Sequence, residues 1–389
     1  MNQRDIAEIR RRMNPEKKNP TVIRGCYLDA EGKVISTCEM DVNRMTTEEN
    51  EKYMAIFKKV LSGTAGQNLL NVDFAPEQVQ EGGEHRLLSA LRETALRDED
   101  AVETFWLRAM AWVQSEHERL AQSVDAQQNA DRYLVLMMHD GYDVPVRGGD
   151  DELDHDRGTD MFSYIVCAVC PVKQAKSALR YVPSESEFHA RESDWVAGAP
   201  ELGFMFPAFE ERSANIHRAV YYTRSASDLH EVFLQSVFGT QPPMAAPEQK
   251  ETLQAILQES LKEECNLDVV QTMHETVSAM IEEQKADKYA EALTLTGRDV
   301  KNVLETCGVS PEKQEAFEEK YAEAFGEQAA IPAVNMVTPK QFRIDMPNVS
   351  IKVSPEHSDL VETRMIDGRY YIVILADGDV EVNGMKISY

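Results

Sequence analysis

Tyr133-Leu134-Val135-Leu136-Met137-Met138-His139 and Phe162-Ser163-Tyr164-Ile165-Val166-Cys167-Ala168-Val169-Cys170 are two apolar runs of strand length separated by a charged interval. Neither alternates apolar with polar, so neither reads as a strand with one wet face. Continuous apolar runs of this length are the pattern of strands covered on both faces. They are expected at the centre of a sheet. Both are about half of the ~20 residues needed to cross a bilayer, so no membrane span is expected. Residues 204–209 and 219–223 are further apolar segments, and the second reads as another strand. A mixed sheet of four or more members follows.

On the N-terminal side, Ile6, Ile9 and Met13 fall at helical spacing, and Asn14-Pro15 ends the run, because a residue before proline is pushed out of the α region. Residues 21–27 and 33–37 are β-rich and flank Asp29-Ala30-Glu31-Gly32, whose glycine supplies the positive φ of a tight hairpin. Thr46 or Thr47 can cap a helix to about Leu61, with Tyr53, Ile56, Phe57 and Val60 on one face. Helices are also expected over 84–94 and from 99 to about 122, with Leu87, Leu88, Leu91, Phe105, Ala109 and Val113 as their buried stripe.

On the C-terminal side, Asp228 is expected to cap a helix ending at Phe238, and the proline-rich stretch 239–247 reads as the internal hinge. Helices are predicted over 248–264, 267–284, 297–307 and 311–325, with Gly308 and Gly326 at C-cap positions. After Ile331-Pro332 the period changes to two, with Val349, Ile351 and Val353 alternating and Asp367-Gly368 and Asp377-Gly378 as turns. The fold class is therefore α+β. An N-terminal body with basic helix, hairpin and central sheet spans 1–240, an acidic helical segment 241–331, and a C-terminal antiparallel β module 332–389.

Sixty-seven acidic residues against 41 Lys and Arg leave a net charge of -26, which repels polyanions at long range. The charge is uneven. Residues 1–24 carry seven basic residues against three acids, whereas 247–330 carry eight basic against nineteen acidic. Met1-Asn2-Gln3-Arg4-Asp5 has charges with no apolar region behind them, so no secretory signal is read and a cytoplasmic location is expected. Six cysteines without a dense spacing pattern then read as reduced thiols.

Each motif has a bland counterpart. Cys167-Ala168-Val169-Cys170 is a CxxC inside an apolar strand, where residues three apart point to opposite faces, so redox and zinc readings give way to core. The interval 150–160 holds six acids and His155, but an EF-hand frame starting at Glu152 puts Arg157 where glycine belongs. It reads as a solvated loop. Gly63-Thr64-Ala65-Gly66-Gln67-Asn68 lacks the Lys-Ser/Thr of a phosphate loop and follows a helix. His274-Glu275 lacks the second histidine of a zinc helix, because position 278 is Ser278, and no nucleophile elbow or dinucleotide fingerprint occurs. No metal, cofactor or catalytic residue is expected.

Glu8-Ile9-Arg10-Arg11-Arg12, Asn14-Pro15-Glu16-Lys17, Ile23-Arg24-Gly25-Cys26-Tyr27, Ala199-Pro200-Glu201-Leu202-Gly203-Phe204 and Ser358-Asp359-Leu360-Val361-Glu362-Thr363-Arg364 resemble the bacterial family called domain of unknown function 4317 over the whole chain. That family name implies no activity. From about residue 132 the order of elements is similar to the bacterial nucleoid-associated protein family. The apolar strand pair comes first, then Val232-Phe233-Leu234-Gln235-Ser236-Val237-Phe238-Gly239, the acidic helices through Glu282-Glu283-Gln284, and a closing β module with Val349-Ser350-Ile351-Lys352-Val353 and Tyr371-Ile372-Val373-Ile374. This second resemblance implies nucleic-acid binding without catalysis.

Three functions follow for testing: a DNA-associated protein, a protein-interaction or regulatory module using the acidic helices, and an enzyme in which His139 and Asp140 are the first pair to test. The partners to consider are DNA or RNA, a basic protein and a second copy of the chain. A polyanion needs a positive face, and the dense one comprises Arg10, Arg11, Arg12, Lys17, Lys18 and Arg24. The bland alternative pairs these residues with the acids of 247–330.

Overall fold

The computed structural model describes residues 1–14, 22–121, 132–144, 146–147, 153–154, 160–175, 178–191, 194–287, 290–376, 378, 380–382 and 384–387. Lys17, Lys18 and most of the acidic interval 150–160 lie outside the described residues. The chain divides into two compact units, Met1–Ala245 and Ala246–Tyr389. None of the described helices is long and apolar enough to cross a membrane.

In the first unit, helix α1 (Gln3–Arg12) begins where Asn2 and Asp5 bond each other's backbone N–H groups, satisfying donors that a helix start leaves open. Thr46 and Glu49 do the same for α2 (Thr47–Val60). Strands β1 (Val22–Leu28) and β2 (Val34–Met40) form the expected hairpin, with Gly32 at φ 80° in its turn. Strand β3 (Leu69–Asp73) precedes helices α3 (Pro76–Glu81), α4 (Gly83–Glu93) and α5 (Glu99–Ala121). The two apolar runs are the cores of β4 (Arg132–Val144) and β5 (Asp160–Gln174). Strands β6 (Trp195–Ala197), β7 (Leu202–Phe206) and β8 (Arg218–Thr223) and helix α6 (Glu231–Phe238) complete the framework.

Among the described residues eight strands form one sheet in the order β2-β1-β4-β5-β7-β8-β3, with β6 also on β5. Every pairing is antiparallel, which corrects the expectation of a mixed sheet. The long apolar runs look the same in parallel and antiparallel sheets, because what they report is cover on two faces. That cover is present. Ile165, Cys167 and Val169 of β5 pack toward α4, α5 and α6 with Phe105, Trp112 and Phe233, and Tyr164, Val166, Ala168 and Cys170 pack toward α1 and α2 with Ile9, Met54 and Phe57. Cys167 and Cys170 thus lie in different cores, as their spacing requires.

Strand β3 and the start of α6 depart from the sequence reading. β3 follows the turn at 63–68, and its Asn71 and Asp73 hide it; among the described strands its one neighbour is β8, at the sheet edge, where polar side chains stay wet. The last helix of the unit starts at Glu231, with His230 as N-cap at φ 51°, so Asp228 does not cap it. Instead the Asp228 carboxylate accepts the His230 N–H at 3.1 Å and closes a turn before the helix.

The second unit holds helices α7 (Ala246–Leu261), α8 (Leu267–Ala286), α9 (Gly297–Thr306) and α10 (Pro311–Phe325). Leu253, Ile256, Val277, Ile281, Val300, Leu304, Phe317 and Tyr321 form their core. The change of period at Ile331 is not a break in packing. Thr294–Thr296 pairs with Ala330–Pro332, and Ile331, Ala333, Met336 and Val337 are buried in the same helical core. Beyond them the described residues form three two-stranded antiparallel hairpins: Phe342–Met346 with Val349–Val353, Val361–Ile366 with Arg369–Ile374, and Val380–Val382 with Met385–Ile387.

Candidate functional site

Of the six basic residues singled out in the sequence, four lie among the described residues, Arg10, Arg11, Arg12 and Arg24. Arg10 and Arg11 are exposed at the end of α1. Arg12 is half-buried, with its guanidinium 4.8 Å from the centre of the Tyr142 ring. Arg24 is only 13% exposed and bonds Glu39 at 2.9 Å, Glu99 at 2.7 Å and the Leu96 carbonyl at 3.2 Å. Its acids therefore belong to the first unit, not to 247–330. The hairpin register places Arg24 opposite Glu39, so this pairing follows from the turn at Gly32.

These placements predict a split between arginines. Arg24→Gln is expected to lower the stability of the first unit by about 1–2 kcal/mol, because two carboxylates and a carbonyl lose one shared donor. Arg10→Gln and Arg11→Gln are expected to change it by less than about 0.5 kcal/mol. Urea unfolding followed by tryptophan fluorescence reads this unit, since Trp106, Trp112 and Trp195 all lie in it. Equal effects at all three positions would contradict the described contacts.

His139 and Asp140, the pair set aside for an enzyme, are successive residues of β4 and face opposite ways. His139 Nε2 lies 2.9 Å from Ser163 Oγ, and burial with the nearby Arg97 and Arg92 holds the imidazole below its usual pKa. Asp140 is 1% exposed and accepts the Tyr164 hydroxyl at 2.8 Å, with burial pushing its carboxyl up. They do not form an acid–base dyad. Burial also pushes the Cys170 thiol up to about 12 and Cys167 well above its ordinary value, which leaves little thiolate for chemistry.

The second unit offers a surface that charge counting alone does not reveal. In the first hairpin Phe342, Ile344 and Met346 share one face with Val349, Ile351 and Val353, while Arg343, Asp345 and Lys352 take the other. In the second, Val361, Thr363 and Met365 share a face with Tyr370, Ile372 and Ile374. In the third, Val380 and Val382 face the same way as Met385 and Ile387. Phe342 and Val361 are buried where their hairpins meet the helices, but Met365, Tyr370 and Met385 are 62%, 80% and 67% exposed. Apolar area left open along a strand is the feature that protein partners cover.

The first two hairpins are rooted on α8. The His274 ring meets Phe342 edge-on at 5.3 Å, and the hydroxyl of Ser358 donates to Glu275. A cleft of about 350 Å³ opens at this root, lined by Leu257, Val270, Met273, Met336 and Phe342, with Lys250 and Arg343 among its polar members. It is large enough for an anchoring side chain. The sequence displayed the period of two in these strands, but cover over an apolar face is a tertiary fact that no period encodes.

A helix-covered antiparallel sheet, followed by a helical unit that carries open amphipathic hairpins, defines a two-unit α+β protein. The chain belongs to the family described as domain of unknown function (DUF4317), whose model matches residues 1–385. No curated protein and no solved structure matches it.

Proposed function

We propose that this chain is a protein-binding protein whose second unit docks a basic, strand-forming segment of a partner. The observation that carries the reading is the set of apolar hairpin faces that stay open at Met365, Tyr370 and Met385. A two-stranded hairpin is marginal alone and gains from packing its apolar face on something else. Charge selects the partner. The helices over 247–330 carry eight basic against nineteen acidic residues, and the hairpin region 331–389 carries six against eight, so a basic segment is attracted. A second copy of a chain of net charge -26 is repelled.

The test uses two labelled synthetic peptides, one alternating lysine with valine and one alternating glutamate with valine. The lysine peptide is expected to bind and to weaken with salt, and the Met365→Ser/Tyr370→Ser double variant to lose at least about tenfold in affinity. Equal binding of both peptides, or an unchanged double variant, would sink the docking reading. A concentration-dependent dimer by light scattering that the double variant abolishes would assign the faces to a second copy instead.

A second reading, binding of nucleic acid, is supported by the resemblance to the nucleoid-associated family and by the exposure of Arg10 and Arg11. A duplex DNA titration separates it. Each phosphate neutralised contributes about -0.9 to the slope of log affinity against log salt, and Arg10→Gln/Arg11→Gln is expected to flatten that slope by about two units. Binding with an unaltered slope would place the contact elsewhere.

A further inference from the structure

Glu116 on α5, and Asp228 and His230 in the turn before α6, converge in the first unit. One ligand-type atom from each, two carboxylate oxygens and an imidazole nitrogen, lie within 4.8 Å of one another. His230 is 4% exposed, and its Nδ1 has no hydrogen-bond partner among the described residues. That nitrogen stands 3.6 Å from Glu116 Oε1 and 3.6 Å from Asp228 Oδ1. The separation is too long for a good hydrogen bond. It is close to the roughly 3.4 Å between two ligand atoms that share a tetrahedral ion at about 2.0–2.1 Å.

The surroundings hold this arrangement. Arg119 grips the outer carboxylate oxygens, its Nη2 lying 2.7 Å from Glu116 Oε2 and 3.1 Å from Asp228 Oδ2, which leaves the inner oxygens turned toward His230. Asp228 Oδ1 also accepts the His230 backbone N–H at 3.1 Å. The turn is pinned from the sheet, where the Thr223 hydroxyl donates to the Asp228 carbonyl at 2.7 Å and the Tyr221 hydroxyl to the Leu229 carbonyl at 3.0 Å. Trp112, one helical turn before Glu116, lays its ring edge-on to His230 at 5.6 Å, and its buried Nε1 is likewise without a hydrogen-bond partner among the described residues. A buried imidazole nitrogen without a hydrogen-bond partner is uncommon in a folded interior.

We propose that Glu116, Asp228 and His230 bind a divalent transition-metal ion of the zinc class through Glu116 Oε1, Asp228 Oδ1 and His230 Nδ1. One imidazole and two carboxylates suit zinc, manganese or cobalt better than calcium, which takes six to eight oxygens. Arg119 acts through the carboxylates as an orienting group. His230 in the left-handed region, at φ 51°, is a conformation that a β-carbon disfavours, and the pinned turn keeps its ring on the cluster. The site is independent of the proposed docking surface of the second unit.

The test uses the full chain, freed of metal with a chelator and dialysed. Zinc is titrated by calorimetry and cobalt by its visible absorption. One equivalent is expected to bind, with a cobalt spectrum of four- or five-coordinate type. At about 100 times the dissociation constant, zinc is expected to raise the melting temperature of the first unit by ~5–10 °C. Glu116→Gln and Asp228→Asn keep shape, and His230→Asn keeps a residue that tolerates the left-handed region. Each is expected to weaken zinc binding at least about 100-fold and to erase the zinc-dependent rise in melting temperature. If the wild-type chain takes up no ion, or if all three variants bind it as the wild type does, the proposal is overturned. The cluster is then an ion pair, and any zinc sits on other histidines among the nine.

Discussion

Gly203→Val is expected to leave the first unit unable to fold, and Gly203→Ala to lower its stability by about 3 kcal/mol. Gly203 sits in β7, where Leu202–Phe206 is buried throughout between β5 and β8. A β-carbon at this position would lie 2.4 Å from the Cys167 carbonyl oxygen and 2.8 Å from Val60 Cγ2. The first is main chain at the centre of the sheet, and the second belongs to the fully buried last residue of α2. Neither can withdraw without moving a strand or a helix. Glycine is required here by close approach, since its φ is an ordinary one. Urea unfolding read by tryptophan fluorescence gives the loss, and an alanine variant within about 0.5 kcal/mol of the wild type would show that the helix is not seated on the strand as described.

Glu210→Gln is expected to cost about 2 kcal/mol at pH 7, and most of that difference is expected to vanish in acid. Burial alone would raise the Glu210 carboxyl. The Met1 ammonium at 2.8 Å, Asn215 at 2.6 Å and Arg218 at 2.9 Å outweigh it and bring the carboxyl down to about 2. Arg218 in turn bonds Asp73, so Glu210 ties the start of the chain and strand β8 to edge strand β3. A carboxylate with a depressed folded pKa stabilises fully above its unfolded value, near 4.5. Its contribution is lost as pH falls from there through about 2. The full shift would correspond to more than 3 kcal/mol, and solvent screening on its open side reduces this to about 2. Urea midpoints of both proteins at pH 7 and pH 2.5 decide the matter. A wild-type advantage of the same size at both pH values would mean that the carboxylate charge is not what stabilises this corner.

The central strands and helices α7 to α10 of the second unit were legible because their signals are local. The apolar runs at 133–139 and 162–170 require cover on two faces, and α1–α2 on one side with α4–α6 on the other supply it. Strand direction was not legible, since an antiparallel strand buried on both faces has the composition of a parallel one. β3 escaped because an edge strand needs only part of its length to be apolar, and Asn71 and Asp73 broke its pattern. The basic residues near the start of the chain were visible as composition, but the pairing of Arg24 with Glu39 and Glu99 was not, because one of those acids lies across the hairpin and the other on α5.

The sequence by itself determined where helices and strands begin, through Asn2 with Asp5, Thr46 with Glu49, Thr296 with Asp299 and the turn at Gly32, whose partners are at most a few residues away in the chain. It also determined that Cys167 and Cys170 serve different cores, since spacing along a strand sets the face. Tertiary structure alone decided that Glu116 meets Asp228 and His230, and that Met365 and Tyr370 stay open while Val361 on the same face is buried. The physical reason is range. A cap or a period is carried by neighbours whose geometry the backbone fixes, whereas a contact across more than a hundred residues exists only after α5 has packed beside α6, and neither helix bears a mark of its eventual neighbour.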